Sequence, residues 1–304
     1  MTKLAAIDLG SNSFHLLEAV SHEGQLHFGR RLKEKVQIGA GLDADQNLSQ
    51  MAILRSLACI QSFTAYLHEQ DIREVVAAGT NTLRVANNRE DFTRVAENLL
   101  GHPIQIIDGE EEARLIFIGA QHEFQRITRG LVIDIGGGST EFAIGQNDQL
   151  DYTGSLSMGC VSYYQRFFAD GRIYAENVRA AQRAASFEME ALLTSLPVEG
   201  LEWMVGTSGT LQSIAEICHR QFGEQKQRLT KDAIESLNEF VMQHQNIQEL
   251  SFDLLDDNRR AILPAGLAII SAIYEALNID ELEIGQSALC EGLLVELNQS
   301  LTTQ

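Results

Sequence analysis

The sequence predicts an α/β protein made of two related halves, and three observations point there. Strand-like runs alternate with helical ones along all 304 residues. A strand, a polar turn and a returning strand open the chain in "LAAIDLGSNSFHLLEAV" and recur in "LVIDIGGGSTEFAIG". Within the two copies Asp8, Gly10 and Ser13 match Asp134, Gly136 and Ser139 at identical offsets. Two domains of ordinary size follow, residues 1–125 and 126–304, with a hinge near Gly130 and a final helix free to cross back to the first half.

After the first hairpin, "LSQMAILRSLACIQSFTAYLHEQ" carries helical periodicity, and "IREVVAAGTNTLR" reads as a strand, a polar turn and the start of a helix. "IQIIDGEEEARLIFIGAQHEF" repeats the plan, with Asp108 or Gly109 as the start signal and acids in the first helical turn. In the second half "AENVRAAQRAASFEMEALLTSL" and "TKDAIESLNEFVMQHQ" are helical, and "LEWMVGTSGTLQSIAEICHRQF" is strand, glycine turn and helix. "RRAILPAGLAIISAIYEALNI" is a helix apolar enough to be buried, with Pro264 read as lying near its start, where a missing N–H costs little; a helix that begins well before it is expected to kink there. "LEIG" and "SALCEGLLVELNQ" close the chain as strand and helix.

Composition narrows the partners. Lys and Arg number 23 against 42 Asp and Glu, a formal charge of -19, which argues against a surface built to wrap duplex nucleic acid. An anionic substrate is still compatible, because helix N-termini, a bound cation and a few Arg make a site locally positive. Cys59, Cys160, Cys218 and Cys290 show no metal-ligand spacing and read as buried free thiols of a reducing compartment. No run approaches the roughly 18 apolar residues of a membrane span, and the N-terminus reaches Gly10 too early for an export signal, so a cytoplasmic protein is expected.

A glycine turn between strands aims several backbone N–H groups at one point, and such a nest binds phosphate oxygens without a basic side chain. Three segments qualify: Gly10, Ser11, Asn12 and Ser13; Gly136, Gly137, Gly138, Ser139 and Thr140; and Gly206, Thr207 and the residues up to Thr210. The first also reads as ordinary hairpin chemistry and the third as a helix cap. The second is harder to explain structurally, because each consecutive glycine costs about 1 kcal/mol against Ala. Neither the P-loop nor the dinucleotide glycine pattern is present.

Asp8 and Asp134 end apolar strands just before these turns, and Glu141 follows the second. A carboxylate beside a phosphate nest repels the ligand unless a cation intervenes, so Asp134 and Glu141, with Asp8 turned to the same centre, point to Mg2+. A surface Asp at a turn is the plainer reading of Asp8. Glu110, Glu111 and Glu112 start a helix, where most serve its dipole; one turned inward would hold and deprotonate a water. Thr80, Asn81, Thr82 and Arg84 offer donors for developing phosphate charge, though Arg84 also reads as an ordinary surface residue of a helix. Arg30, Arg31, Lys33 and Lys35 form a basic cluster that either steers a polyanion or solvates a strand.

"AAIDLGSNSFHLLEAV", "GTNTLRVANN", "GEEEARLIFIGA", "LVIDIGGGSTEFAIG", "SLSMGCVSYYQRFF", "VGTSGTLQSIAEI" and "RRAILPAGLAIISAIYEAL" occur in an order that resembles the exopolyphosphatase and guanosine pentaphosphate phosphohydrolase family over nearly the whole chain. The resemblance implies two actin-like domains, of the ribonuclease H-like type, facing each other across a cleft. It implies Mg2+-dependent hydrolysis of a terminal phosphoanhydride of polyphosphate or of guanosine pentaphosphate. It assigns Glu112 as the base for water, Asp134 and Glu141 as the acids around metal and phosphate, Asp8 to Ser13 and Gly136 to Thr140 as phosphate loops, and Thr80 and Arg84 as donors. A homodimer is plausible from the family.

Two departures stand out. Where the family reads like S-D/E-G-A-L-R-E-G, this chain has "GQSALCEG", with Gln286 for the acid and Cys290 for the Arg. The sequence also ends where longer members continue into a helical HD-type region, from which weaker processivity or a preference for short chains and nucleotides is expected. Two other classes are compatible with the motifs: an ATP-dependent kinase with its nucleotide near "VGTSGT", and a non-catalytic sensor of polyphosphate or guanosine polyphosphates.

Overall fold

The computed structural model describes residues 1–147, 149–252 and 255–302. The chain divides into two compact units, Met1–His122 with Ser287–Gln304, and Glu123–Gln286.

The first unit carries strands β1 (Thr2–Leu9), β2 (Phe14–His22), β3 (Gln25–Glu34), β4 (Glu74–Gly79) and β5 (Ile104–Ile106), in the order β3-β2-β1-β4-β5. β1 pairs antiparallel with β2 and parallel with β4. Helices α1 (Gln50–Glu69), α2 (Asn81–Val85) and α3 (Glu90–Leu100) follow, then α4 (Gly109–Phe124), whose last two residues belong to the second unit. Alternation along β1 and β2 sends Ile7, Leu9, Phe14 and Leu16 to one face, where they pack with Phe63 of α1 and Phe92 of α3. α1 is started by Ser49, whose hydroxyl accepts the Ala52 N–H, and α3 is stopped by left-handed Gly101.

The second unit carries β6 (Gly130–Ile135), β7 (Thr140–Gln146), β8 (Gln149–Leu156), β9 (Trp203–Thr207), β10 (Arg228–Thr230) and β11 (Glu281–Ile284), in the order β10-β11-β9-β6-β7-β8. Its helices are α5 (Cys160–Phe167), α6 (Ala175–Leu193), α7 (Ser208–Phe222), α8 (Lys231–Met242) and α9 (Asp257–Leu277). β6 is buried along its whole length, as a central strand covered on both faces must be. Among the described residues α9 alone is long and apolar enough to cross a membrane, but its run from Leu263 to Ile270 is buried in this unit's core.

The last helix, α10 (Leu289–Thr302), is part of the first unit and packs on β1 and β2. It crosses α4 where two glycines meet: a methyl at Gly119 would strike the Ala288 carbonyl, and one at Gly292 the Leu115 carbonyl. Two local expectations are corrected. Pro264 is the eighth residue of α9, not near its start, so the Arg260 carbonyl loses the i+4 amide it would otherwise receive. No glycine turn separates β9 from α7: the strand runs straight into the helix at Ser208, whose φ of 85° lies in the left-handed region.

Candidate active site

In the first unit, β1 and β2 are joined by Gly10–Ser13. The turn is braced from behind: the carbonyls of Ser11 and Asn12 accept the N–H groups of Gly39 and Gln37. The N–H groups of Ser11, Asn12 and Ser13 make no backbone bond among the described residues, and the Ser13 hydroxyl is buried with no partner there. A methyl at Gly10 would stand 3.0 Å from the Ser13 carbonyl and 3.5 Å from Asp8 Oδ1, so the turn is drawn tightly against the Asp8 carboxylate.

Of the three acids starting α4, packing separates the roles. Glu110 is exposed. Glu111 pairs with Arg114, one turn on, which also reaches Glu296 of α10. Glu112 is buried, 8% exposed, and its Oε2 accepts from Arg84 Nη1 at 3.1 Å. The same Arg84 nitrogen donates to the Ile107 carbonyl at 2.8 Å, just before α4 begins. Arg84 therefore ties the residue just after β5 to the carboxylate and holds it in one orientation by a charge-assisted hydrogen bond. Thr80 is buried at the end of β4, beside this pair in sequence.

In the second unit the equivalent turn joins β6 to β7. The Gly136 N–H donates to the Ser139 carbonyl, closing it. The start of α5 holds the turn's carbonyls: Cys160 N–H bonds Gly136 O, and Val161 and Ser162 N–H bond Gly137 O. Gly159 permits this approach, since a methyl there would overlap the Gly137 carbonyl and the Gly138 nitrogen. Thr140 Oγ1 donates to the Met158 carbonyl, so its hydroxyl is structural. The N–H groups of Gly137, Gly138 and Ser139 make no backbone bond among the described residues. With carbonyls drawn back and amides left forward, the turn has the chemistry of an anion nest.

Asp134 and Glu141 are direct partners across β6 and β7. Thr207 Oγ1 donates to Asp134 Oδ2 at 2.6 Å, and Ser155 Oγ donates to Glu141 Oε1 at 2.9 Å. Burial pushes the Asp134 carboxyl from its ordinary 3.8 up to about 6, with the Thr207 bond acting the other way. No basic side chain pairs with Asp134 among the described residues. Two adjacent buried carboxylates without a cationic partner for Asp134 suit a hard divalent cation. No group of three metal-ligating side chains occurs among the described residues. Gly206 lies within β9, where a methyl would stand 2.7 Å from Leu211 Cδ1; its job is packing, and Thr207's hydroxyl is taken by Asp134.

A sequence profile of the Ppx/GppA phosphatase family matches residues 19–301. The chain belongs to the Ppx/GppA phosphatase family. Solved Ppx/GppA relatives share its fold. An Aquifex aeolicus Ppx/GppA enzyme superposes with a TM-score of 0.80 at 24% identity, covering 97% of this chain and 99% of that one. An exopolyphosphatase from Cytophaga hutchinsonii gives 0.89 at 21%, covering 98% of each. The likeness is one of fold: two mixed sheets with packed helices, an α/β class.

The two departures from the Ppx/GppA pattern have defined surroundings. Gln286 is exposed, and its backbone N–H donates to the Glu123 carboxylate at 2.9 Å, so an acid here would face a like charge. Cys290 is buried; burial pushes its thiol well above the ordinary range, and Asp8 and Glu291 add to the rise. The neutral thiol thus sits against Asp8. The sequence missed the residue that anchors this end of α10: Glu291 is 3% exposed, and Arg31 of β3 reaches its Oε1 in an ion pair, while its Oε2 accepts the Ala288 N–H. Arg31 therefore fastens a helix to a sheet, whatever its neighbours Arg30, Lys33 and Lys35 do.

Proposed function

We propose that this chain hydrolyses the terminal phosphoanhydride of inorganic polyphosphate and releases orthophosphate, with Glu112 as the base. The observation that carries this reading is the selection of Glu112 from three neighbouring acids: it alone is buried and held by Arg84. A carboxylate fixed in this way is placed to act as a base toward water. Each turn by itself offers backbone donors of the kind that suit phosphoryl oxygens, and Arg84 and Thr80 offer side-chain donors in the first unit.

In the proposed reaction the water oxygen bonds to the terminal phosphorus as its proton passes to Glu112. The bond from that phosphorus to the bridging oxygen breaks, and its electron pair leaves on the new end of the shortened chain. Asp134 and Glu141 would hold Mg2+. When bound, the ion supplies neutralisation of phosphate charge. Arg84 keeps the carboxylate of Glu112 in one orientation.

The 5'-phosphate of guanosine pentaphosphate presents the same terminal group, so the turns accept it equally. Phosphate release from tripolyphosphate, long polyphosphate and guanosine pentaphosphate, with and without Mg2+, tests the reading. Mg2+-dependent release, fastest on polyphosphate, is expected. Faster release from the nucleotide makes the chain a guanosine pentaphosphate 5'-phosphatase, and tight binding with no release from any of the three makes it a sensor.

A further inference from the structure

β4 and β9 end alike in Gly-Thr, as Gly79-Thr80 and Gly206-Thr207, and in each a methyl on the glycine would stand 2.7 Å from the Cδ1 of a leucine in the next helix, Leu83 or Leu211. Their registers differ by two residues. Ala78 stands opposite Asp8, so Thr80 lies two residues beyond, whereas Thr207 itself stands opposite Asp134. The second unit thereby places a fully buried hydroxyl against the carboxylate, at 2.6 Å. On the other side Ser155 stands opposite Glu141 and donates to it at 2.9 Å. Thr207, Asp134, Glu141 and Ser155 form one lateral row across β9, β6, β7 and β8, acids inside and hydroxyls outside.

We propose that Thr207 and Ser155 are positioning residues that each hold one oxygen of the neighbouring carboxylate, so that Asp134 and Glu141 meet a cation through single oxygens and the row selects Mg2+ or Mn2+ over Ca2+. The inference rests on the reading of Asp134 and Glu141 as the cation-holding pair. Ca2+ takes six to eight oxygens, commonly with two-oxygen carboxylates, whereas Mg2+ demands a small octahedron. A hydroxyl that occupies one carboxylate oxygen favours the second geometry. Outer partners of this kind typically change metal affinity by about 10- to 100-fold. The isosteric Thr207→Val keeps the shape and removes the donor.

The test is Mn2+ binding at constant pH, followed by electron paramagnetic resonance, with and without methylenediphosphonate, and with Ca2+ as competitor. Wild type is expected to bind Mn2+ and to resist displacement by Ca2+. Thr207→Val is expected to weaken Mn2+ binding by about 10- to 100-fold and to narrow the preference over Ca2+, while Thr207→Ser retains both. In hydrolysis Thr207→Val should raise the Mg2+ concentration for half-maximal rate more than it lowers the rate at saturating Mg2+. Should Thr207→Val not fold, Ser155→Ala reads the same effect through Glu141. Unchanged Mn2+ binding in the folded variant, equal displacement by Ca2+ in wild type, or no bound Mn2+ in either condition overturns the inference. Selective Mn2+ binding by a wild type that releases no phosphate, weakened in Thr207→Val, upholds it and rejects the hydrolase reading instead.

Discussion

The two units share one sheet and differ in what they write on it. The order β3-β2-β1-β4-β5 of the first is the order β8-β7-β6-β9-β11 of the second, which adds β10 at its edge. Both opening hairpins close over four residues, and in both a methyl on the first glycine would meet the carbonyl of the last serine, at 3.0 Å from Ser13 and 3.1 Å from Ser139. The lateral rows through the two strand-end aspartates then diverge. In the first unit the row reads Ala78, Asp8, His15, Lys33; in the second it reads Thr207, Asp134, Glu141, Ser155. One row offsets its acid with basic groups and the other doubles the acid between hydroxyls. The duplicated scaffold thus carries different chemistry in each copy, an Arg84-held Glu112 in the first unit and a pair of buried carboxylates in the second, a difference that the proposed function reads as a division of labour.

The largest expected effect separates these contributions. Glu112→Gln preserves size and removes the base, and should lower kcat for phosphate release by about 10²–10⁴-fold with little change in KM; a loss confined to KM would turn Glu112 into a binding residue. Asp134→Asn acts on the other unit and should show in stability as well as activity. Burial raises the Asp134 carboxyl from 3.8 to about 6, so the protonated form favours folding: its stability is fully present below about pH 4 and lost as pH rises through about 6. In metal-free buffer the Asn variant should therefore gain up to about 3 kcal/mol over wild type at pH 8, with the gain vanishing near pH 4 in urea unfolding. Added Mg2+ should raise the melting temperature of wild type and not of this variant.

Smaller effects sharpen the comparison of the scaffolds. Gly79→Ala and Gly206→Ala should each cost about 1–2 kcal/mol in urea unfolding. Gly79→Ala should be at least as costly, because Ile106 Cδ1 stands 2.8 Å from its would-be methyl whereas Ile284 Cδ1 is 3.3 Å from that of Gly206. A cost at only one position would show that the Gly-Thr strand ends are not equivalent. The smallest effect belongs to the strand-to-helix corner of the second unit: Ser208→Gly should stabilise by about 1 kcal/mol, since φ of 85° strains any residue with a Cβ.

How much of this was legible in the sequence depended on distance along the chain. The repeated hairpin was readable because Asp8, Gly10 and Ser13 recur at fixed offsets, and helices such as α1 and α4 announce themselves through local periodicity. The register of Thr207 against Asp134 was not, because parallel strands 73 residues apart carry no local sign of which side chains stand side by side. Nor was the pairing of Arg31 with Glu291, 260 residues away, which turns a member of a basic cluster into a fastener for α10. The choice among Glu110, Glu111 and Glu112 by their own residue types was equally hidden, since it depends on Arg84 and Arg114 arriving from different sides.

The division of labour is tested most directly by Mn2+ binding in the two inactive variants, measured with methylenediphosphonate present. Glu112→Gln should bind the ion as wild type does, and Asp134→Asn should not bind it. Loss of the ion in Glu112→Gln, or its retention in Asp134→Asn, would contradict the account.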